Sequence, residues 1–352
     1  MFQKIILIIL PFIFLSNVYG EDLKVGFISI LTGQYSDVGQ SMANSAQLAI
    51  EDYEKESGAK VKFFLEDDGA DPRKGLSAFL KLIELDKVDL IFPISTFTIG
   101  SARDRVNQLN RVAFILGNEP YEPVDDSIYM VTPAAIPAER SLGKFVGEKH
   151  ASGEVLVIAS QNEAILRFAK AVKEGVGERA SLIEVPAELM DFRGLALSIK
   201  RKNPTALIFN SFPLDSARLL KELFALQVKV PIYFDDSIAN SLSDVKNILG
   251  DLSKLREAMI LTYNTENSPL FTTRYQERFG ESPRYWSDYS YDAVKLGLKL
   301  RDKDLSEAKA WLSNNVYEGV SGKITFDQVG LRLPDYSIIP IMQHPNFKQH
   351  AK

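Results

Sequence analysis

Residues 24–35 read KVGFISILTGQY, a largely apolar run that ends in a glycine-containing turn. Residues 24–30 predict a β-strand, and a helix is predicted over about 39–53, where apolar residues recur at helical spacing. Further strands are predicted at 61–65, 88–94, 112–116, 128–131, 155–159, 182–185, 206–210, 231–234 and 258–262. Because helical patterns separate most of these strands, the sequence predicts parallel sheets with right-handed crossovers.

The length of the chain predicts two such sheets, since 352 residues exceed what one hydrophobic core usually holds. Helices predicted near 271–279, 289–300 and 306–313 need a sheet to pack on, so the chain is expected to return to the first one. The expected fold is α/β with two doubly wound lobes. Lobe 1 comprises residues 21–132 plus 265–327, lobe 2 comprises 133–264 plus 328–345, and 346–352 form a flexible tail. Asp71-Pro72 is expected to start a helix, and Pro137 to break the chain after the first crossing.

The N-terminus has the pattern of a secretory signal peptide. Lys4 precedes an apolar run over residues 5–15, and a small residue, Gly20, ends the segment. The apolar run is short for a membrane span. We therefore expect cleavage after Gly20 and export to the periplasm, with an uncleaved membrane anchor as the alternative.

Composition excludes several kinds of function. The formal net charge of −5 becomes −6 when Lys4 leaves with the signal peptide, so neither nucleic acid nor an anionic membrane is expected as a partner. The absence of cysteine excludes disulfides, thiolate metal sites, cysteine nucleophiles and a lipid-bearing cysteine. His150, which ends a predicted helix, and the C-terminal His344 and His350 lack the spacing of zinc ligands. We expect no metal or other cofactor.

Several motifs, in order, resemble the type I periplasmic solute-binding proteins, specifically the branched-chain amino acid (Leu/Ile/Val-type) receptors of ABC transporters. The resemblance covers nearly all of residues 23–342, and each motif alone is weak. The matching residues are 24–27 with 31–33, Asp67-Asp68 with Asp71-Pro72, Ser95-Thr96, Arg274-Tyr275 with 278–280, 291–294, 319–327 and Gly330. The family's fold, two α/β lobes joined by three chain crossings with a ligand in the cleft, agrees with the fold expected from the sequence pattern.

Polar and aromatic residues follow many of the predicted strands. In open parallel sheets, ligands bind beyond the carboxyl ends of the strands, and two facing lobes bring these ends together at one cleft. The predicted ligand contacts are Tyr35, Ser95, Thr96, Phe97, Asn118, Glu119, Gln161, Phe212, Asp235 and Asp236. Ser95 and Thr96 precede a predicted helix, where hydroxyls and backbone amides can hold a carboxylate. The resemblance implies that role, and a plain helix cap is the alternative.

The resemblance also implies contacts in lobe 2. Asp235 or Asp236 lies where the family places the acid that pairs with the ligand's α-ammonium, with a solvated turn as the alternative. Phe212 lies at or next to a family tyrosine that contacts the ligand, and simple packing is its alternative.

Two positions depart from the family pattern. Asn118-Glu119 replaces a small residue and a hydroxyl, and Gln161 begins a stretch that lacks the usual aromatic. Either Glu119 points away from the cleft or the ligand is not an ordinary amino acid.

The resemblance implies the substrate-binding component of an ABC importer, here expected as a monomer. It would capture a small polar ligand, an amino acid or a related carboxylate or amine, and then dock on a membrane permease. Hinge closure is expected about crossings near 132–133, 263–264 and 326–330. A ligand-sensing or regulatory protein of the same fold is the alternative. An enzyme is less favoured, because residues 175–180 (GVGERA) follow a helix, the reverse of a dinucleotide fingerprint. The sequence also contains neither a GxxxxGK phosphate loop nor a G-x-S-x-G elbow.

Overall fold

The computed structural model describes residues 22–33, 35–117, 127–186, 189–263 and 268–350. The strands are β1 (Leu23–Ser29), β2 (Val61–Asp67), β3 (Leu90–Pro93), β4 (Ala113–Ile115), β5 (Ile128–Pro133), β6 (Val155–Ser160), β7 (Ala180–Val185), β8 (Ala206–Asn210), β9 (Ile232–Phe234), β10 (Met259–Tyr263), β11 (Tyr317–Gly319), β12 (Gly322–Ile324), β13 (Leu331–Arg332) and β14 (Tyr336–Pro340). The α-helices are α1 (Ser36–Ser57), α2 (Pro72–Leu80), α3 (Thr96–Gln108), α4 (Ala135–Lys149), α5 (Glu163–Val176), α6 (Arg193–Lys202), α7 (Pro213–Ala225), α8 (Leu242–Leu249), α9 (Pro269–Phe279), α10 (Ser287–Leu300), α11 (Leu305–Asn314) and α12 (Pro345–His350). A π-helical turn over Lys81–Asp86 extends α2, and 3-10 segments cover Asp236–Ser241, Leu252–Leu255 and Ile341–Gln343.

The first lobe is built on a parallel sheet. Its strands pair in the orders β2-β1-β3 and β13-β5-β4. The backbone amide of Leu116 donates to the carbonyl of Ile94 at 2.9 Å, which links the ends of β3 and β4 and joins the two groups. The first strand is buried from Val25 to its end, as expected for a strand covered by helices on both faces.

The second lobe contains a six-stranded sheet in the order β14-β10-β9-β8-β6-β7. All its pairs are parallel except β10 with β14, which is antiparallel. Both β6 and β8 are buried along their whole length, which fits their apolar sequences and their central positions. These two sheets confirm the predicted doubly wound α/β fold.

Helices α9 and α10 pack against the first lobe, the one to which the sequence predicts the chain to return. Phe271 and Tyr275 of α9 share one buried core with Val25 and Phe27 of β1. The helix α9 ends at Gly280, whose φ of 74° is a left-handed conformation that glycine adopts without strain.

An ion pair also ties α9 to α1. The guanidinium of Arg274 donates to Asp52 at 2.6 Å and through a second, parallel contact, and the hydroxyl of Tyr291 donates to the same carboxylate at 2.6 Å. Since Asp52 is buried and bonded on both oxygens, this cluster fixes the returning helices against the first lobe.

The third crossing lies later in the chain than predicted. The boundary at residue 327 would place Leu331 and Arg332 in lobe 2, but β13 pairs with β5 of the first sheet. The buried guanidinium of Arg332 donates to the carbonyl oxygens of Val131, Ser321 and Lys323 at 2.9–3.0 Å. These bonds hold β13 in the first lobe, so the chain crosses between Arg332 and β14.

The two predictions about proline have different outcomes. Asp71 caps α2 as predicted, and its carboxylate accepts from the backbone amides of Arg73 at 2.7 Å and Lys74 at 3.2 Å. The prediction that Pro137 breaks the chain is wrong, because this proline lies in the first turn of α4. Amides of the first helical turn have no partner within the helix, so a proline there removes no helical hydrogen bond.

Within the described ranges, none of the helices combines the length and the apolar character needed to cross a bilayer.

Candidate functional site

The carboxyl end of the first sheet holds a buried cluster around Asp68, the residue after β2. The Asp68 carboxylate accepts hydrogen bonds from the hydroxyls of Ser95 and Thr98, the latter at 2.7 Å, and from the backbone amide of Ala70 at 3.0 Å. The three side chains are 0–7% exposed. This carboxylate is therefore fully supplied with donors from within the protein.

Ser95 caps α3 in this arrangement. Its hydroxyl oxygen accepts from the backbone amide of Thr98 at 3.2 Å while its proton goes to Asp68. The alternative of a helix cap thus describes Ser95 in this conformation, and its role as a ligand contact stays a prediction. Thr96 and Phe97 lie in the first turn of α3, but their side chains are outside the described part of the chain. Asn118 and Glu119 lie outside it altogether.

At the carboxyl end of the second sheet, the carboxylate of Asp235 also accepts hydrogen bonds from neighbouring residues of the protein. It is 9% exposed, and it accepts from the hydroxyl and, at 3.0 Å, the backbone amide of Ser237, and from the side-chain amide of Asn210 at 3.2 Å. The same amide nitrogen of Asn210 donates to the buried Glu139 at 2.9 Å. Burial raises the pKa of Asp235 to about 6.

Asp236 differs from its neighbour. Across the described residues, its carboxylate makes no hydrogen bond or ion pair with another side chain, and it lies on the wall of a cavity. Removal from bulk water raises the pKa of Asp236 to about 7, and the charge of Asp235 adds to the shift. Of the neighbouring acids Asp235 and Asp236, both predicted as ligand contacts, Asp236 is thus the one that faces the cavity.

This cavity, with a volume of about 1000 Å³, lies between the two lobes. The second lobe contributes Asp236, Tyr263, Ile339 and His344 to its walls. The first lobe contributes the start of α1, through Val38, and the segment 281–289 that joins α9 to α10. A solute in this space would contact both lobes at once.

The wall from the first lobe is rich in aromatic rings and acidic groups. Tyr285 and Trp286 stack with ring centroids 5.1 Å apart, and Tyr289 follows in the first turn of α10. Asp288 lies between these rings in sequence and accepts from the backbone amide of Tyr289 at 2.9 Å. Burial raises the pKa of Asp288 to about 6.

The charge of Asp236 influences the pKa values of the tyrosines that line the cavity. Loss of contact with bulk water inside the cleft is the main cause that raises the pKa values of Tyr263, Tyr285 and Tyr289, and the charge of Asp236 adds to the shift of each. All three phenols therefore stay neutral at physiological pH. His344 on the opposite wall has a pKa lowered by burial, so it is mainly neutral at pH 7 as well.

The structure does not bring the remaining predicted contacts into this cavity. The side chains of Tyr35 and Phe212 are 52% and 46% exposed, and Gln161 is exposed at the end of β6. None of these three residues lines the cavity between the lobes. Their contacts with a ligand stay predictions for a conformation in which the lobes approach more closely.

Sequence reasoning missed the segment that supplies the aromatic wall. Residues 285–289 read YWSDY, three aromatic residues and an acid within five positions of a polar stretch. Several aromatic residues next to an acid could have indicated a binding site. However, these residues follow a helix rather than a strand. The rule that ligands bind beyond the carboxyl ends of parallel strands indicated Asp236, but it does not find these residues.

Comparisons with known proteins give one consistent result. A family model described as "Periplasmic binding protein" matches residues 22–329. A search of curated protein sequences found no match.

Solved structures match the fold at low identity. A putative branched-chain amino acid ABC transporter from Rhodospirillum rubrum is 17% identical with a TM-score of 0.71, over 90% of this chain and 96% of that one. The branched-chain amino acid transporter substrate binding protein LivJ from Streptococcus pneumoniae, in complex with isoleucine, is 17% identical with a TM-score of 0.68, over 90% and 95%. A solute binding protein of an ABC transporter from Rhodopseudomonas palustris BisB5, in complex with 3,4-dihydroxy benzoic acid, is 18% identical with a TM-score of 0.68, over 90% and 92%.

Proposed function

Because this chain belongs to the periplasmic binding protein family, whose members are solute-binding proteins of ABC transporters and not enzymes, we propose that it captures a small polar solute between its lobes. The solute is an amino acid or a related carboxylate or amine, and the closed protein delivers it to a membrane permease. The protein works as a monomer in this proposal.

The observation that supports this function is the cavity whose walls come from both lobes. A ligand shifts a conformational equilibrium only by as much as it binds one state better than the other. A solute that contacts Asp236 from the second lobe and the segment 281–289 from the first gains contacts as the lobes approach. Such a solute would favour the closed state over the open one.

The predicted export fits this function. The family is that of periplasmic proteins, and the first 20 residues have the sequence pattern of a signal peptide. We propose that cleavage after Gly20 releases the mature protein into the periplasm, where it meets both the solute and the permease.

The nature of the solute is not fixed by the fold. Among the structural relatives, one is described in complex with isoleucine and another with 3,4-dihydroxy benzoic acid, which differ in charge and shape. The side chains on the cavity wall must therefore decide which solute this chain takes, with Asp236 as the predicted contact from the second lobe.

The test combines thermal unfolding with small-angle X-ray scattering. Purified protein that begins at residue 22 is screened against amino acids, amides, small carboxylates and small amines. We expect at least one class to raise the melting temperature, because binding to the native state stabilises it by mass action. The same solute should reduce the radius of gyration as the lobes close. Stabilisation without compaction, or no response to any class, would contradict the proposal.

A further inference from the structure

We propose that the solute held between the lobes is an organic cation that lacks a carboxylate. This inference rests on the proposed function, since it assumes that the cavity between the lobes is where the solute binds.

Charge on the cavity walls is the first reason. Asp236 lines the cavity from the second lobe, and Asp288 and Glu281 line it from the first. The one basic side chain on the described lining that is charged at pH 7 is Arg284, whose guanidinium pairs with Asp37 at 3.2 Å. A cation entering this space would therefore meet an excess of negative charge.

The position of two half-buried acids on opposite walls of the cavity is the second reason. Asp236 belongs to the lobe 2 wall and Asp288 to the lobe 1 wall, and both sit in an environment that disfavours charge. The charge of Arg332 acts on Asp288, whereas the charged group that acts on Asp236 is another acid, Asp235, so Asp236 is the less compensated of the two carboxylates. A single cation that contacts both walls adds an attraction to each lobe, which is the differential contact that closure requires.

The aromatic rings are the third reason. Tyr263, Tyr285, Trp286 and Tyr289 line the cavity, and an ammonium within about 6 Å of such a ring is attracted by its quadrupole. The protein itself already uses one of these rings in this way, because the guanidinium of Arg332 lies 5.5 Å from the ring centroid of Tyr289. Rings and carboxylates together make a wall suited to alkylammonium groups.

The start of α3 is the fourth reason, because it argues against a carboxylate on the ligand. A helix N-terminus at a strand end is the usual place for a ligand anion. Here the hydroxyls of Ser95 and Thr98 donate to Asp68, so an internal carboxylate already takes these donors. None of these residues lines the cavity, so the donors at the start of α3 are not offered to a carboxylate on a solute held there.

The test uses three probes that share the isobutyl group of leucine. Leucine is the zwitterion, 3-methylbutylamine is leucine without its carboxylate, and 4-methylpentanoate is leucine without its ammonium. Choline serves as a second cation with a quaternary nitrogen. Isothermal titration calorimetry at pH 8 measures each affinity on the protein that begins at residue 22. We expect at least one of the two cations to bind at least tenfold more tightly than leucine and 4-methylpentanoate.

Variants locate the binding. Asp236→Asn and Asp288→Asn should each weaken binding of the cation at least tenfold. Asp244→Asn is the matched control, since Asp244 is exposed in the first turn of α8 and away from the cavity lining. Circular dichroism and the melting temperature confirm that each variant is folded.

The outcomes separate this inference from the proposed function. If leucine or 4-methylpentanoate binds and compacts the protein while neither cation does, the inference is wrong and solute capture stands. If either cation binds the parent protein but Asp236→Asn and Asp288→Asn bind it as the control does, the inference is also overturned. Failure of the wider solute panel to compact the protein would instead overturn the proposed function.

Discussion

Asp68 and Asp236 follow strands at the carboxyl ends of the two sheets, yet their surroundings differ. The Asp68 carboxylate is 0% exposed and accepts from two hydroxyls and a backbone amide. Asp236 has no such side-chain donor among the described residues, and it faces the cavity between the lobes. Both acids follow a strand at the carboxyl end of a sheet, so this position alone does not distinguish them. What distinguishes them is that the protein provides side-chain hydrogen-bond donors to Asp68 and leaves Asp236 available to a solute.

The largest expected effect is on stability, at Asp68. Asp68→Ala removes the acceptor of two buried hydroxyls, and we expect the free energy of unfolding to fall by about 2–4 kcal/mol. Asp71→Ala is the control, because it removes an exposed helix cap and should cost less stability than the loss of the buried carboxylate. Urea unfolding of both variants measures the difference. Equal losses would mean that the buried cluster around Asp68 is not a structural element.

At Asp236, loss of the charged carboxylate is expected to raise the free energy of unfolding rather than lower it. Its pKa of about 7 in the folded protein lies above the ordinary value of 3.8, so the folded state binds more protons between these two values. Stability therefore falls as pH rises through this window, and the full cost is present above pH 7. Asp236→Asn should stabilise the ligand-free protein at pH 8 by on the order of 1–2 kcal/mol and much less at pH 4. Thermal unfolding at both values checks this, and a variant less stable than the parent at pH 8 would contradict it.

The affinity for a cation should also depend on pH. The groups around Asp236 include Asp235, with a pKa raised to about 6, Glu139, and the neutral phenols of Tyr263 and Tyr285. Since only the ionised carboxylate attracts a cation, binding should weaken about tenfold from pH 8 to pH 6. Calorimetry with 3-methylbutylamine or choline, whichever binds more tightly, measures the change. An affinity for this cation that stays constant or rises on acidification would contradict the role of the ionised Asp236 in binding.

The smallest expected effect is that of a change at Ser95, which tests whether the cluster around Asp68 is structural while Asp236 binds the solute. Ser95→Ala removes one donor to Asp68 and one helix cap, and should cost about 1 kcal/mol of stability. Because Ser95 is not on the cavity wall, we expect the affinity for the cation to change less than twofold. A tenfold loss of affinity at unchanged stability would restore Ser95 as a ligand contact.

The fold could be predicted from the sequence because its signals are local and repeated. Apolar strand runs, helical stripes and the cap at Asp71 each depend on neighbouring residues. The later crossing could not be predicted, since the two-residue strand β13 is held by contacts of Arg332 with residues distant in sequence. Pro137 was misread because proline is compatible with a first helical turn.

The candidate site could be predicted only in part, for a physical reason. Strand ends indicate which residues reach the edge of a sheet, and this rule located Asp236. It does not show whether a side chain is already bonded, as Ser95 and Asp235 are. It also cannot find the wall at 285–289, which depends on how α9 and α10 return to the first lobe.

The most direct test of the account is a distance across the cleft. The chain has no cysteine, so Gln40→Cys in α1 and Leu214→Cys in α7 can carry spin labels without removing native thiols. Both side chains are exposed and lie near the helix ends that follow strands of the two sheets. Double electron–electron resonance is recorded without solute and at saturation with the solute that raises the melting temperature most. We expect the distance to shorten and its distribution to narrow, whereas an unchanged distance at proven saturation would contradict capture by closure of the lobes.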